Sequence, residues 1–312
     1  MKIRTAIAAA FALAVGLGTG PAHAVCTDLS LRSLADVGFY GADQYHVFAA
    51  TETGQVIGFD VRHSNKDDPC DYFVTFSRGD SLTYDRRMTY AANELHYQIY
   101  DGPAKANVLK DIGDAGTNEV IAGTFTGTGR ETQTQTFFVA IPPEQVLPPF
   151  DFRDDVVVRL YEGTPTSYVL RDSATIQVAA GLEHEIDICI ACPGAFDAAA
   201  DAQVMNFGTP QTGEERTTAL RMRSNDGYTL YLQSDNRGVL RTPAEPSTIP
   251  YVLQVDGVGV NLSGRHRTEV ARVPGVNGPQ GDLFDLRVVI GDVANALPGE
   301  YRDHITITVT AY

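Results

Sequence analysis

The chain has 312 residues, a formal net charge of −15 and no tryptophan. This acidity argues against nucleic acid and against anionic membrane surfaces as partners. Glycine is frequent, Thr and Val recur in short runs, and long helical periodicities are hard to find. The composition therefore predicts an all-β protein.

The N-terminus has the pattern of a secretory signal peptide. Lys2 and Arg4 form the basic start, Ile7 to Leu17 the apolar core, and Ala22-His23-Ala24 the small-residue cleavage site. The apolar run is shorter than the roughly 20 residues that a membrane span needs. These features predict an exported chain.

Residues 1–24 are therefore expected to be removed, so that the mature chain begins at Val25. Removal leaves 288 of the 312 residues and takes the net charge from −15 to −17, because two basic residues are lost. This length suits two medium-sized domains, each able to bury its own core.

Several short stretches alternate apolar and polar residues and are bounded by Gly, Pro, Asn or Asp, the pattern of half-buried strands. A stretch from Ala195 to Gln203 is either a short helix or an alanine-rich loop. The candidate strands are Gln55–Arg62, Tyr72–Ser77, Leu95–Tyr100, Ala174–Val178, Thr218–Arg223, Tyr228–Gln233 and Tyr251–Val255.

The chain contains an internal repeat. Residues 137–161 and 284–312 each comprise an alternating strand, a connection containing Leu-Pro, and a strand that opens with an aromatic residue, Arg and Asp. In the first copy this opening is Phe152-Arg153-Asp154, and in the second it is Tyr301-Arg302-Asp303. Self-similarity of this kind implies two copies of one domain.

We place the two copies at residues 25–178 and 182–312, with Ala179-Ala180-Gly181 near the joint. Short strands at regular spacing predict two immunoglobulin-like β-sandwich domains. In the first copy the chain continues into another strand, whereas the second copy ends at Tyr312 directly after its alternating strand. We therefore expect the C-terminal sandwich to lack its last strand.

The residues also resemble a known family, the spore coat protein U domain, which is the subunit fold of archaic chaperone–usher pili. The closing stretch LPGEYRDHITITVTAY is similar to that family's last strand. Further matches are FSRG at 76–79, RRMTYAANELHYQIYDG at 86–102 and NFGTPQTG at 206–213. Two features depart from the family. Some members carry a Trp-Gly segment after the Tyr strand, whereas this chain has no tryptophan. The second copy also has LRMRSNDGYTLYLQSDNRG in place of a clear Arg-Met-plus-Tyr block.

This resemblance implies subunits that lack a final strand, in which an extension of the neighbouring subunit fills the gap. A periplasmic pilus chaperone would hold the open groove until assembly at an outer-membrane usher. A missing strand leaves unpaired N–H and C=O groups that another chain can use by strand addition. Ile305, Ile307 and Val309 are the candidate acceptor edge for the donated strand.

A donor strand needs several free residues at the N-terminus, and only one residue is expected before Cys26. The mature chain would therefore accept a strand without donating one. The resemblance then implies a two-domain tip adhesin at the cell surface, whose first domain binds an unknown surface or receptor. Two other interpretations remain open: a structural protein of a secreted coat or matrix, and a secreted carbohydrate-active enzyme. A chaperone and usher encoded beside the gene would favour the adhesin.

The four cysteines fit an oxidising compartment. We expect Cys26 and Cys70 to form a disulfide that ties the first strand to the end of the second. Cys189 and Cys192 form a Cys-x-x-Cys pair, which is either a small structural disulfide or a reactive pair. A thioredoxin-like role needs a βαβ context that the sequence does not offer.

The sequence offers little support for catalysis. The seven histidines have no HxxxH or HExxH spacing, and neither Gly-x-Ser-x-Gly nor a phosphate-cradling glycine loop is present. Adjacent carboxylates such as Asp67-Asp68 and Asp154-Asp155 are common in a chain this acidic, and a glycosidase needs two of them together in a cleft. We expect neither enzymatic activity, nor a metal, nor a cofactor.

Two short motifs have structural and functional interpretations. Arg78-Gly79-Asp80 matches a tripeptide that some integrins bind, although Gly79 also suits the end of a strand. The Arg-Asp pairs at 153–154 and 302–303 recur in both copies, which favours an architectural role as strand-entry salt bridges or turn residues.

Adhesion is expected on loops at the outer end of the first domain, where exposed apolar side chains would form a binding surface. The alternative is that the same side chains are buried. The candidates are Phe39, Tyr40 and Tyr45 in one segment, and Leu147, Pro148, Pro149 and Phe150 in another.

Overall fold

A computed structural model describes residue 26 and residues 28–64, 69–127, 129–243 and 246–312. The predicted signal peptide, Val25 and the Asp67-Asp68 pair lie outside these residues. Within the described part, the chain is built from strands, with one 3-10 turn at Gly41–Asp43. No helix there is long and apolar enough to cross a membrane.

The first half of the chain forms ten strands. They are β1 (Leu29–Arg32), β2 (Val37–Phe39), β3 (Thr53–His63), β4 (Cys70–Phe76), β5 (Arg86–Tyr90), β6 (Asn93–Tyr100), β7 (Ile121–Phe125), β8 (Glu131–Ile141), β9 (Asp151–Thr164) and β10 (Ser167–Gly181). Antiparallel pairing dominates, and β2 alone pairs in parallel, with the end of β10.

The second half forms nine strands. They are β11 (Ile186–Ile190), β12 (Glu215–Ser224), β13 (Tyr228–Ser234), β14 (Val239–Arg241), β15 (Thr248–Val255), β16 (Val258–Val260), β17 (Thr268–Val273), β18 (Asp282–Ile290) and β19 (Ile305–Ala311). No strand pairing joins this half to the first among the described residues.

The two halves repeat the same pairing order. In the first, β1-β3-β8-β6-β5 form one layer and β7-β4-β9-β10 the other. In the second, β11-β12-β18-β15-β14 form one layer and β17-β13-β19 the other. Strand for strand, β9 corresponds to β19, and β10 has no counterpart among the described residues of the second half. This is an all-β fold of immunoglobulin-like sandwiches, as the sequence predicts.

Minor pairings repeat as well. Thr89 of β5 pairs with Arg153 at the start of β9, and Arg241 of β14 bridges to Arg302 just before β19. In both halves the aromatic-Arg-Asp opening therefore crosses from one layer to the other. The internal repeat seen in the sequence is a repeat of structure.

Each half has its own hydrophobic core. Most core residues of the first half are fully buried, including Phe76, Phe137, Phe152 and Ile176. In the second half the partly buried members outnumber the fully buried ones. The second core is therefore open to solvent on one side, although the strands around it match those of the first.

The predicted strands are all present, with ends that differ by up to seven residues, the largest difference being at the start of β10. The stretch Ala195–Gln203 is a loop, not a helix. The shift from the first core to the second occurs between Leu182 and Ile186. The domain limits at 178 and 182 stay a prediction.

Candidate functional site

The open side of the second sandwich is a groove between the edge strands β11 and β19. It encloses a cavity of about 1200 Å³. Apolar side chains from both layers form its floor, because the two sheets face each other there without an intervening strand. The lining includes Ile188, Ile190, Leu232, Leu253, Leu286, Val288, Ile305 and Ile307.

The backbone of β19 presents alternate residues to this groove. Tyr312 N–H bonds to Gly227 C=O and Asp235 N–H bonds to His304 C=O, which fixes the hydrogen-bonded pairs at the two ends of the β13–β19 ladder. Because such pairs alternate along antiparallel strands, the threonines of β19 bond to β13. The N–H and C=O groups of Ile305, Ile307 and Val309 therefore point away from β13, toward the groove.

The same argument applies to β11 on the opposite side. Asn225 N–H bonds to Glu185 C=O and Ala191 N–H bonds to Ala219 C=O, so Asp187 and Cys189 are the residues paired with β12. The isoleucines of β11 then direct their backbone groups outward. Ile190 N–H confirms this direction, since it bonds to Ala200 C=O at 2.6 Å.

The predicted acceptor residues thus lie on an unpaired edge. Ile305, Ile307 and Val309 are partly buried, and within the described residues β19 pairs with β13 alone. Their main-chain groups point, in the plane of the sheet, toward the position that one more strand would occupy, and the side chains of Ile305 and Ile307 line the groove. That a strand from another chain occupies it remains a prediction.

The first half shows how the same position is filled. There β10 pairs with β9 along its length, placing Ile176 opposite Val156 and Ala174 opposite Val158. Ile176, Val178 and Ala180 are buried in the core. Because β9 corresponds to β19, Val156 and Val158 correspond to Ile305 and Ile307.

The start of β19 is fixed by Asp303. Its carboxylate accepts a hydrogen bond from Tyr251 Oη at 2.5 Å, from Ser234 Oγ at 2.6 Å and from Asn236 N–H at 3.0 Å. Burial, followed by the hydrogen bond to this carboxylate, raises the pKa of Tyr251. The phenol therefore stays protonated and donates, and β19 is held against both layers.

Asp154 has the same role in the first half. Tyr97 Oη donates to it at 2.5 Å and Asp80 N–H at 2.8 Å. Burial raises the pKa of Asp154. The architectural interpretation of the Arg-Asp pairs is therefore correct for these aspartates, but tyrosine hydroxyls hold them, not salt bridges.

The Arg-Gly-Asp tripeptide is part of this arrangement. Gly79 has a φ of +69°, and a Cβ added there would collide with the Asp154 carboxylate. The Arg78 guanidinium donates to Leu82 C=O at 2.7 Å and lies 3.7 Å from Asp114. Both the glycine and the arginine thus have structural partners, which favours the structural interpretation of the motif.

Arg78 also lines a smaller cavity of about 440 Å³ between the loop that follows β4 and residues 111–114. The carboxylates there are ion-paired, Asp114 with Arg78 and Asp111 with Arg159. A glycosidase pair needs one carboxyl group as acid and another as base or nucleophile, free to act on a sugar. The residues lining this cavity do not provide that pair.

Both cysteine pairs form disulfides. Cys26 precedes β1 and Cys70 begins β4, so this bridge does not end at the second strand as expected; it crosses between the layers, at the end of the first sandwich far from the joint. His63 lies beside it, with ligand atoms of the three residues within 4.8 Å of one another. The two sulfurs are committed to the disulfide, which removes the thiolates that a metal would bind.

The Cys189–Cys192 disulfide closes the turn after β11. Arg221 Nε donates to Cys192 C=O at 3.0 Å, so the turn is anchored to β12. The structural interpretation of this pair is therefore favoured over the reactive one.

Two candidate adhesive residues are core residues. Phe39 and Tyr45 are fully buried, so the expectation that they are exposed is wrong. Phe39 packs beside β10, and Tyr45 Oη accepts a hydrogen bond from Gln145 N–H at 2.8 Å. Burial raises the pKa of Tyr45 to about 12. Their aromatic rings fill the interior because β2 and the following turn fold inward.

The other candidates lie near the joint, not at the outer end. Tyr40, 46% exposed, packs against Gly181, and the carbonyl of Phe150, 39% exposed, accepts Leu182 N–H. Leu147 packs on the core, and Pro148 and Pro149 are half-buried. The predicted outer-end location is wrong for both segments.

Two features of the molecule are not predicted from the sequence. The first is β11, which the alternation Ile186-Asp187-Ile188-Cys189-Ile190 indicates. This segment is interpreted only through its Cys-x-x-Cys pair and not as a strand. Tyr168, Val169 and Leu170 on β10 are about half exposed, at the end of the first sandwich opposite the joint. Beneath them, Phe73 stacks on Tyr161 at 5.0 Å.

No family model matches the chain, and no curated protein matches it in sequence. The resemblance to the spore coat protein U family therefore stays a prediction. Among solved structures, the chain is similar to the CsuC–CsuE chaperone–tip adhesion subunit pre-assembly complex of the archaic chaperone–usher Csu pili of Acinetobacter baumannii. The TM-score is 0.46 and the identity 13%, over 90% of this chain and 99% of that chain.

Two further solved structures are similar over most of the chain. The CupB6 tip adhesin from Pseudomonas aeruginosa has a TM-score of 0.40 and 10% identity, covering 92% of this chain and 94% of that chain. CfaE, the adhesive subunit of CFA/I fimbria of enterotoxigenic Escherichia coli, has a TM-score of 0.28 and 14% identity, covering 94% and 84%. These three structural neighbours contain adhesins of pili or fimbriae.

Proposed function

We propose that this protein is a non-enzymatic tip adhesin subunit of an archaic chaperone–usher pilus. Its C-terminal sandwich accepts a donated strand from the neighbouring pilin, and its N-terminal sandwich binds a surface or receptor. The proposal rests on one observation: β10 completes the first sandwich, while the matching position beside β19 is an open apolar groove.

The chemistry of the groove suits an extended peptide. Main-chain groups of Ile305, Ile307 and Val309 supply hydrogen bonds, and the apolar floor receives every second side chain of the incoming strand. The partner is therefore a segment with aliphatic residues at alternate positions. Before assembly, a periplasmic chaperone would shield the same groove, and an outer-membrane usher would exchange it for the next subunit.

A binding experiment on the mature full-length chain tests strand acceptance. The probe is a synthetic peptide with the sequence of Arg171–Gly181, which contains the strand that fills the first sandwich. We expect saturable binding in calorimetry and a higher melting temperature of the second sandwich. The same peptide with Ile176→Asp is the control and should not bind, because a carboxylate cannot enter the apolar floor.

Matched protein variants locate the binding. Ile307→Asp places a charge in the groove and should abolish peptide binding, whereas Val252→Asp, on the exposed face of β15, should leave it unchanged. If the wild-type chain does not bind the peptide, or if Val252→Asp is as harmful as Ile307→Asp, the groove is not an acceptor site. The coat-protein interpretation would then be preferred.

Adhesion is assigned to the end of the first sandwich that lies away from the joint. Tyr168, Val169 and Leu170 form an exposed apolar run there. Val169→Asp should reduce attachment of pilus-bearing cells to their surface, whereas Val252→Asp should not. Equal attachment by the two variants would remove this surface from the proposal. Immunogold labelling should place the protein at the pilus tip on the cell surface.

A further inference from the structure

A short strand, β2, clamps the closing strand of the first sandwich from its second side. After β1 the chain crosses between the layers, and Val37–Phe39 pairs in parallel with Val178–Ala180. Val37 and Phe39 are buried, while Tyr40, which follows them, is exposed. Gly41, with a φ of +59°, then turns the chain away. β10 is thus held by β9 on one edge and by β2 on the other.

The second sandwich contains a matching segment that is not a strand. After β11, residues 204–208 line the open groove next to the start of β19. Their exposure alternates: Met205 and Phe207 are partly buried, and Val204, Asn206 and Gly208 are exposed. Gly208 has a φ of +61°. Met205 and Phe207 therefore occupy the positions of Val37 and Phe39, with a glycine turn following in both halves.

Both ends of this segment are anchored, and its middle is not. On one side, Ala200 C=O accepts Ile190 N–H from β11. On the other, Gly213 N–H bonds to Ile290 C=O of β18 at 2.9 Å. Among the described residues, no backbone hydrogen bond joins Met205–Phe207 to another strand. The segment thus borders the groove with unused main-chain groups.

Phe207 keeps the segment at the groove. Its ring packs against the second core, and the Arg216 guanidinium lies over it at 5.4 Å. Phe39 in the first half is fully buried, whereas Phe207 is only partly so. The difference matches the missing neighbour: Phe39 has β10 beside it, and Phe207 faces the empty position.

We propose that Met205–Phe207 becomes a strand when the groove is filled, pairing in parallel with the incoming strand while β19 pairs with it in antiparallel fashion. The inference rests on the proposed function. The occupant is an extended segment of another chain with small or medium aliphatic residues at alternate positions, as in β10. Strand entry then buries Phe207 and gives the donated strand two hydrogen-bonded edges instead of one.

Hydrogen exchange with mass spectrometry separates this inference from the proposed function. The mature full-length chain is compared with and without the Arg171–Gly181 peptide. We expect slower exchange both in Ile305–Ala311 and in Met205–Phe207, since both gain backbone hydrogen bonds. Protection of β19 alone would overturn the proposed parallel pairing of Met205–Phe207 with the incoming strand, while leaving strand acceptance at β19 intact. Protection of neither would overturn both.

A matched pair of variants adds a second readout. Phe207→Asp removes the side chain that the filled groove would bury, and Val204→Asp changes an exposed neighbour in the same segment. We expect Phe207→Asp to weaken peptide binding by about tenfold or more and to abolish the protection of 205–207. Val204→Asp should bind as the wild type does. Equal affinity of the two variants would contradict the inference.

Discussion

The hydroxyl of Tyr251 donates a 2.5 Å hydrogen bond to the carboxylate of Asp303, where β19 begins. The first half contains the same pair, Tyr97 and Asp154, also at 2.5 Å. In each half the aspartate also accepts a hydrogen bond from a backbone N–H in the loop after β4 or β13: Asp80 N–H in the first half and Asn236 N–H in the second. The bond therefore fixes β9 in the first half and β19 in the second. It does so both where a further strand, β10, pairs alongside and where the described residues supply none.

Loss of this hydroxyl should destabilise the half in which it lies. Tyr251→Phe removes the shortest hydrogen bond to Asp303, and we expect the second sandwich to lose about 1–3 kcal/mol of unfolding free energy. Tyr97→Phe should have a similar effect on the first. Tyr168→Phe, at an exposed tyrosine, is the control. Chemical denaturation measures all three, and equal stability of Tyr251→Phe and the control would contradict this role.

Gly79 should not tolerate a side chain. Its φ of +69° is unfavourable for other residues, and a Cβ would collide with Asp154. We expect Gly79→Ala to cost roughly 2 kcal/mol or more, measured by thermal denaturation. Gly58→Ala is the control, because nothing lies within 4 Å of a Cβ added there. Unchanged stability of Gly79→Ala would show that the tripeptide is free for another role.

The pH dependence of stability should report on Asp154. Burial raises its pKa above the ordinary value of 3.8. A carboxyl group with a raised folded-state pKa stabilises the fold fully below its ordinary pKa, and this contribution is lost as the pH rises through the raised value. Relative to Asp154→Asn, the wild-type unfolding free energy should therefore fall with pH above 3.8. Parallel curves in denaturation experiments would contradict this.

The two disulfides should differ in their contributions to stability. Cys26 and Cys70 are 44 residues apart, whereas Cys189 and Cys192 are 3 apart. In the chain-entropy account, removal of the first bridge costs about 4 kcal/mol and of the second about 2 kcal/mol. Paired Cys→Ala variants at each site test this order by chemical denaturation. A greater loss at the short bridge would mean that native contacts, such as Arg221 with Cys192, dominate.

Sequence patterns predicted the strands and the repeat because inward-facing residues such as Val156 and Ile305 alternate along each strand. They also placed Ile305, Ile307 and Val309 on the inward face of β19, since a period of two assigns the sheet face without knowledge of neighbours. That these residues accept a strand stays a prediction. Two misses have a common physical cause. Phe39 and Tyr45 lie among glycines and acidic residues, a composition typical of exposed loops. The parallel pairing of β2 with β10 buries Phe39, and the contact of the Tyr45 hydroxyl with Gln145 N–H holds Tyr45 in the core. Local patterns do not encode such long-range pairing.

The unpaired state of Met205–Phe207 could not be predicted from sequence for the same reason. Its alternation is too short to distinguish from a loop, and its meaning appears only by comparison with β2. The similarity between the halves lies in pairing order more than in residues. Val37-Gly38-Phe39 and Met205-Asn206-Phe207 share one residue type at one position.

The strand that completes the first sandwich should be indispensable to that half. Ile176 on β10 is buried opposite Val156, so Ile176→Asp puts a carboxylate into the core and should cost roughly 3 kcal/mol or more. Val169→Thr, at an exposed position on the same strand, should melt almost as the wild type does, since it adds no charge opposite Glu162 on β9. Calorimetry of the full-length chain measures both. If Ile176→Asp leaves the first transition unchanged, β10 does not hold the first sandwich together. The open position beside β19 would then be no reason to expect that an added strand stabilises the second sandwich.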